Sequence, residues 1–206
     1  FPASHYVTPK EKLEEAHVTF GTTVSLFNDK YIVSLFLGIL FIVGIDVGLN
    51  TTIPKLLIDR TGMPLSEAGL GTSLYFAART IGSFVGALLL AKLSASRFLK
   101  YSMFVAIVAF ILLLAVPATW SMFVMIVIVG LACANVFSII FSFALQHKPE
   151  RANEISALMI MGVSGGALIT PLMGVVADGF GQVAGLSILL LCLLYICLIS
   201  FRIDKK

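Results

Sequence analysis

Charge is what this sequence lacks most. Only 12% of its 206 residues are Asp, Glu, Lys or Arg, against 59% hydrophobic residues. A water-soluble domain carries about 25% charged residues, so this chain cannot cover a water-facing surface. Soluble classes are excluded and an integral membrane protein is implied, in keeping with a mean hydropathy of +1.03. Histidine is scarce too: His5, His17 and His147 lie outside the apolar runs and do not cluster. The sequence has no H-E-x-x-H, no Walker loop and no group of residues at metal-ligand spacing. Cys133, Cys192 and Cys197 fall inside apolar runs, in no pattern that suggests a disulfide or a metal site. No cofactor and no metal are therefore expected. Also missing is the apolar–polar alternation of outer-membrane barrel strands.

One stretch has a catalytic look. "GVSG", residues 162–165, matches the G-x-S-G of rhomboid-type intramembrane serine proteases. A serine nucleophile needs a base within hydrogen-bond reach, and none of the apolar runs contains a histidine. Ser164 reads as a small packing residue, and the chain is not expected to be an enzyme.

What is present is length of apolar sequence. A spanning helix needs about 20 mostly apolar residues, and six segments qualify: 31–54, 67–91, 98–116, 121–144, 154–177 and 183–201. The breaks "KLLIDRTGMPLS", "KLSASR", "PATW", "QHKPERAN" and "DGFGQ" carry the turn and charge signals. The expected fold is an all-α membrane protein, a six-transmembrane-helix bundle over residues 31–202. Residues 1–30 are polar, mixed in charge and hold two prolines. They read as a cytoplasmic linker with a short helix over 10–17, and 203–206 as a cytoplasmic tail. A chain that opens on a linker reads as the second half of a larger molecule.

Six spans put both ends on one side of the membrane. That side holds eleven Lys and Arg residues, the other only Lys55 and Arg60, and Arg79 lies inside a span. Basic loops stay cytoplasmic, so both termini are expected there. The net charge of +3 follows from this bias and is no sign of a nucleic-acid partner.

The second and fifth spans align at an offset of about 88 residues, with Gly86 opposite Gly174 and Ser66-Glu67 beside Asn153-Glu154. The first and fourth each place a glycine before a buried asparagine, Gly44 before Asn50 and Gly130 before Asn135. This pattern predicts two three-helix repeats.

Polar groups inside the membrane are costly, about 2.5–3.5 kcal/mol for an ionisable side chain on insertion scales. Asp46 and Asn50 share a helix face, as do Tyr75, Arg79 and Ser83, and Asn135, Ser138 and Ser142. All three stripes are expected to face the bundle interior. Two readings stay open. Asp46 and Arg79 lock two helices together, with Asn135 and the serines as interhelical glue. Alternatively, these groups line a hydrated cavity that binds a substrate or carries a proton, a low dielectric favouring a carboxyl that holds its proton. Gly82 with Gly86, and Gly162 with Gly165 and Gly166, read as close-packing surfaces. Pro171 predicts a kink.

The stretches "ARTIGSFVGALLLAKLSASRFLKY", "NVFSIIFSFALQ", "GALITPLMGVVAD" and the opening "FP" resemble the fucose/glucose/galactose permease branch of the major facilitator superfamily. The resemblance extends over nearly the whole chain. It implies the C-terminal six-helix half of a twelve-helix transporter in a bacterial inner membrane. A sugar, hexose or deoxyhexose, would bind between the halves, with symport driven by a proton or sodium. The substrate-binding residues would be Asp46, Asn50, Tyr75, Arg79, Asn135 and Ser138, with Asp46 also the coupling-ion site and Tyr75 or Phe137 a ring platform for the sugar. The resemblance implies an amide at the place of Asp46, so the acid is a departure, and "KLSASR" lacks the acid of the superfamily's cytoplasmic loop. Implied partners are membrane lipid and either the missing N-terminal six-helix half or a second copy of the chain. The alternative is a structural half-bundle that moves nothing alone.

Overall fold

A computed structural model describes residues 20–203. The helix expected over 10–17 and the tail at 204–206 lie outside the described residues. A short helix α1 (Phe20–Ser25) and a 3₁₀ turn (Leu26–Asn28) lead into α2 (Lys30–Thr61). Then come α3 (Leu65–Leu90), α4 (Ala95–Ala115), α5 (Thr119–Cys133), α6 (Val136–His147), α7 (Ala152–Met161), α8 (Gly165–Phe180) and α9 (Gln182–Ile203). Among the described residues there is no strand.

Six segments are long and apolar enough to cross a membrane: α2, α3, α4, α5 with α6, α7 with α8, and α9. Each overlaps one of the six segments read from the sequence. The outside is apolar, as lipid requires: Leu88 is 73% exposed and Val175 72%.

α2 has clear physical ends. The Asp29 carboxylate accepts hydrogen bonds from the amides of Tyr31 (3.0 Å) and Ile32 (3.4 Å) and caps the N-terminus. Gly62 stops the helix in the left-handed conformation at φ 69°, its N–H bonded to the Ile58 carbonyl. Between them α2 spans about 48 Å, more than the hydrocarbon core, so its ends reach water. At the far end Arg60 Nη2 donates to the Leu114 carbonyl at the end of α4, 3.0 Å away.

Two spans are interrupted. α5 gives way to α6 at Ala134–Asn135. α7 tightens into a 3₁₀ turn at Gly162–Ser164 before α8 begins. Pro171 lies inside α8, so the change in helix type falls in the glycine run rather than at the proline.

The two three-span units pack as an inverted repeat. α2 packs on α8 as α3 packs on α5, and α4 packs on α5 as α9 packs on α2. Small residues allow the closest of these contacts. A Cβ on Gly44 would sit 2.5 Å from Ile169, and one on Gly165 would sit 1.9 Å from the Leu40 carbonyl oxygen.

Candidate functional site

Asp46 lies midway along α2, where the helix faces α3. Tyr75, Arg79 and Ser83 follow one another at one-turn intervals on α3. The geometry brings three of these four side chains together. Tyr75 Oη donates a 2.7 Å hydrogen bond to Asp46 Oδ1. Arg79 Nη1 pairs with the same carboxylate oxygen and lies 3.5 Å from Tyr75 Oη. Asp46 keeps 20% and Arg79 18% of its side chain exposed, so a ligand can reach the pair without unfolding anything. Ser83 turns back to its own helix, donating to the Arg79 carbonyl at 2.9 Å.

The Tyr75 ring is fully buried, so its hydroxyl and not its ring face is what the site can use. Gly130 of α5 makes room for it: a Cβ there would sit 2.7 Å from the Tyr75 carbonyl and 3.3 Å from the ring. Phe137 is half-buried and stacks on Phe141, centroids 5.9 Å apart.

Asn50, one turn beyond Asp46, is exposed, and its backbone carbonyl accepts from Thr72 Oγ1 at 3.5 Å. Ser138 and Ser142 on α6 are exposed as well, and Ser142 accepts from Gln146 Nε2 at 2.9 Å. Asn135 sits apart in character. It is buried at the α5–α6 break, and its amide donates to the Gly82 carbonyl on α3 at 2.8 Å. A Cβ on Gly86 would lie 1.9 Å from that amide nitrogen, so the two glycines of α3 form the seat for Asn135. Here the interhelical role is visible in the contacts.

A second polar cluster escaped the sequence reading. At the head of α2, Lys148 Nζ lies 2.7 Å and His147 Nε2 3.1 Å from Asp29 Oδ2. The His147 ring also lies against Tyr31, centroids 4.6 Å apart. Arg151 adds a tie to α1 through Ser25 Oγ, 3.0 Å away, and pairs with Glu154. This cluster fastens the start of the first span to the α6–α7 loop. Burial works against ionised Asp29, yet Lys148, His147 and the two backbone amides outweigh it and hold the carboxyl well below the usual range. The only local signal was an Asp just before an apolar run, which is an N-cap pattern.

A depressed carboxyl contributes stability that is full above its unfolded value of about 3.9 and fades as pH falls through its lower folded value. Asp29→Asn keeps a good cap but loses the charge. It is expected to lower the thermal midpoint by about 2–4 °C at pH 7, roughly 1 kcal/mol in a chain of this size. The gap between variant and parent should close as pH drops well below 4. Melting curves in detergent at pH 7, 5 and 3 check this.

No group of three or more His, Cys, Asp and Glu residues able to hold a metal occurs among the described residues. The triad instead offers an acceptor carboxylate beside a donor guanidinium, with the buried Tyr75 hydroxyl already donating to the carboxylate. Such a set suits a ligand whose hydroxyls both donate and accept.

Known proteins share this architecture. The crystal structure of the fucose:proton symporter of E. coli superposes with a TM-score of 0.83 at 18% identity, covering 92% of this chain and 47% of that one. A bacterial homologue of the lysosomal transporter Spinster, inward-facing and occupied, gives 0.62 at 19% identity over 88% of this chain and 50% of its own. Among curated proteins, a relative from Helicobacter pylori (strain J99) is 26% identical over 190 residues, 90% of this chain and 46% of its own length. The glucose/galactose transporter of Brucella abortus biovar 1 (strain 9-941) is 26% identical over 165 residues, 78% of this chain and 39% of its own. The chain thus spans less than half the length of these curated relatives. The Major Facilitator Superfamily model matches residues 8–206, and with that match over nearly the whole sequence the chain belongs to the Major Facilitator Superfamily.

Proposed function

We propose that the chain supplies the C-terminal six-helix half of a secondary active sugar transporter working by alternating access, in the fucose/glucose/galactose branch of the family. Residues 31–202 are the bundle, 1–30 a linker and 203–206 a tail. The membrane is the bacterial inner membrane with both termini cytoplasmic, a reading supported by the eleven-to-two bias of basic residues. The observation that carries the proposal is the Asp46–Tyr75–Arg79 triad, set inside the spans and open on one side.

A sugar hydroxyl can donate to Asp46 while accepting from Arg79, so it bridges the pair. A proton or sodium ion arriving at Asp46 neutralises the carboxylate and releases Arg79. Cation and sugar therefore act on the same ion pair, which is what coupling requires. Asn50 and Ser138, both exposed, add hydroxyl partners, and Asn135 positions α3 against α5 and α6.

The names of the relatives support a hexose or deoxyhexose as substrate. The test is uptake into proteoliposomes by the chain assembled with an N-terminal six-helix half. Saturable uptake of glucose, galactose or fucose that responds to a proton or sodium gradient is expected. Uptake indifferent to both gradients would remove the coupling role. A second reading, a half-bundle that self-associates and moves nothing, draws on the partial coverage of the relatives. Absence of sugar binding in the assembled protein would favour it, whereas robust uptake by a demonstrated monomer of this chain would overturn both readings.

A further inference from the structure

The repeat is broken at one helix contact. In the second unit α8 and α9 pack tightly, and a Cβ on Gly185 would sit 2.9 Å from Ala177 Cβ and 2.9 Å from the Met173 carbonyl. At the repeat offset, the matching positions of the first unit are Arg97, Leu89 and Val85. Large side chains stand where glycine and alanine allow contact, and α3 and α4 hardly touch. Between them lies a groove of about 690 Å³, walled by Val85, Leu89 and Tyr101 and floored by Leu131 of α5. It lies apart from Asp46, which does not line it.

The groove is apolar along its length and basic at one end. Arg97 lines that end, its Nε bonded to Ser94 Oγ at 2.9 Å. Lys92 sits in the α3–α4 turn, directly before the lining residue Leu93. No carboxylate lines the groove. The position matching Lys92 in the closed unit is Phe180, so the opening and the basic pair occur together in one unit.

We infer that this groove binds an anionic phospholipid, with an acyl chain between α3 and α4 and the headgroup phosphate held by Arg97 and Lys92. Apolar walls take the acyl chain. The planar guanidinium takes phosphate oxygens in a fork. With no acid in the lining, a headgroup ammonium finds no counter-charge there, so phosphatidylglycerol is preferred over phosphatidylcholine. The site is independent of whether the chain carries sugar.

Tryptophan quenching by brominated lipid tests the inference. The reporter is Tyr101→Trp, at a 72% exposed lining position, in a Trp120→Phe background that removes the sequence's single native tryptophan. The protein is placed in phosphatidylcholine nanodiscs with a minor fraction of dibrominated phosphatidylglycerol or dibrominated phosphatidylcholine. Each basic side chain near an anionic headgroup is worth about fivefold in association, so the two together should give a phosphatidylglycerol preference of about 25-fold. Lys92→Gln with Arg97→Gln should abolish it, and so should about 1 M salt, where the Debye length is about 3 Å. Equal quenching by both lipids means an ordinary lipid shell and overturns the inference. Preference that survives in the double variant overturns the assignment to Lys92 and Arg97. No quenching by either lipid means that the groove is filled by protein, a second copy or another half, and overturns it as well. The unsubstituted chain gives an independent reading: native mass spectrometry should find one retained phosphatidylglycerol, lost in the double variant.

Discussion

Asp46→Asn, assembled with an N-terminal six-helix half, is expected to lose sugar binding by about 10- to 100-fold, while Arg79→Gln is expected to lower the thermal midpoint by about 6–12 °C. Arg79 and the Tyr75 hydroxyl share the Asp46 carboxylate as acceptor. A hydrogen bond to a charged group contributes about 1.5–3 kcal/mol, which sets the binding loss. Stability follows a different rule. Removing one member of a buried ion pair leaves the other uncompensated, at a cost of about 3–5 kcal/mol. Both groups keep about a fifth of their side chains exposed, so the lower end applies. In Arg79→Gln the carboxylate is left with the Tyr75 hydroxyl alone. Asp46→Asn retains an amide oxygen for Arg79 and Tyr75, and is the milder change. The double variant Asp46→Asn, Arg79→Gln restores neutrality and should recover most of the thermal midpoint without recovering sugar binding. A folded Asp46→Asn protein that binds sugar fully with the same pH dependence would rule out both the substrate and the coupling role.

The triad shows how far sequence reaches. Asp46 and Arg79 were legible because charge inside an apolar run is costly and therefore conspicuous. Their pairing was legible as an option, since neighbouring spans joined by a short loop lie side by side. Tyr75 was legible as sharing the face of Arg79, but its hydroxyl bond to Asp46 depends on the rotation of α3 about its axis, which Gly130 permits from another span. Asn135 was legible as a polar group in lipid, with binding and glue both open. Its bond to the Gly82 carbonyl joins residues 53 apart in sequence, and no periodicity carries that. The Asp29 cluster, in which Asp29 and His147 stand 118 residues apart, was out of reach for the same reason. Helix ends diverge where hydropathy stops being informative. The first span reads as ending at 54, but α2 continues to Thr61, because helix persists past the lipid boundary until Gly62 stops it.

Within the fifth span, two glycines nine residues apart should respond in opposite ways to alanine. Gly165→Ala puts a Cβ 1.9 Å from the Leu40 carbonyl oxygen, 2.6 Å from its carbon and 2.9 Å from its Cα. All three are backbone atoms of α2, so no rotamer change relieves the clash. The helices must separate by more than 1 Å to reach van der Waals distance, and the contact they share is built on Gly44, Gly48, Gly162 and Gly166 as well. Overpacking costs about 1–3 kcal/mol, more where backbone must move, and a chain of this size loses about 2–4 °C per kcal/mol. Gly165→Ala should therefore lower the thermal midpoint by about 10 °C. Because α2 also carries Asp46, separation from α8 should weaken sugar binding in the assembled protein too. Gly86→Ala should fall between: its Cβ meets the Asn135 amide at 1.9 Å, a side chain that can turn away at the loss of its bond to Gly82. At Gly174 nothing lies within 4 Å of a new Cβ, and alanine is the better helix former by about 1 kcal/mol in water. Gly174→Ala should melt at or slightly above the parent. If Gly165→Ala and Gly174→Ala melted alike, the α2–α8 interface would not be packed on its glycines, and the lock between the first and fifth spans would have to be found elsewhere.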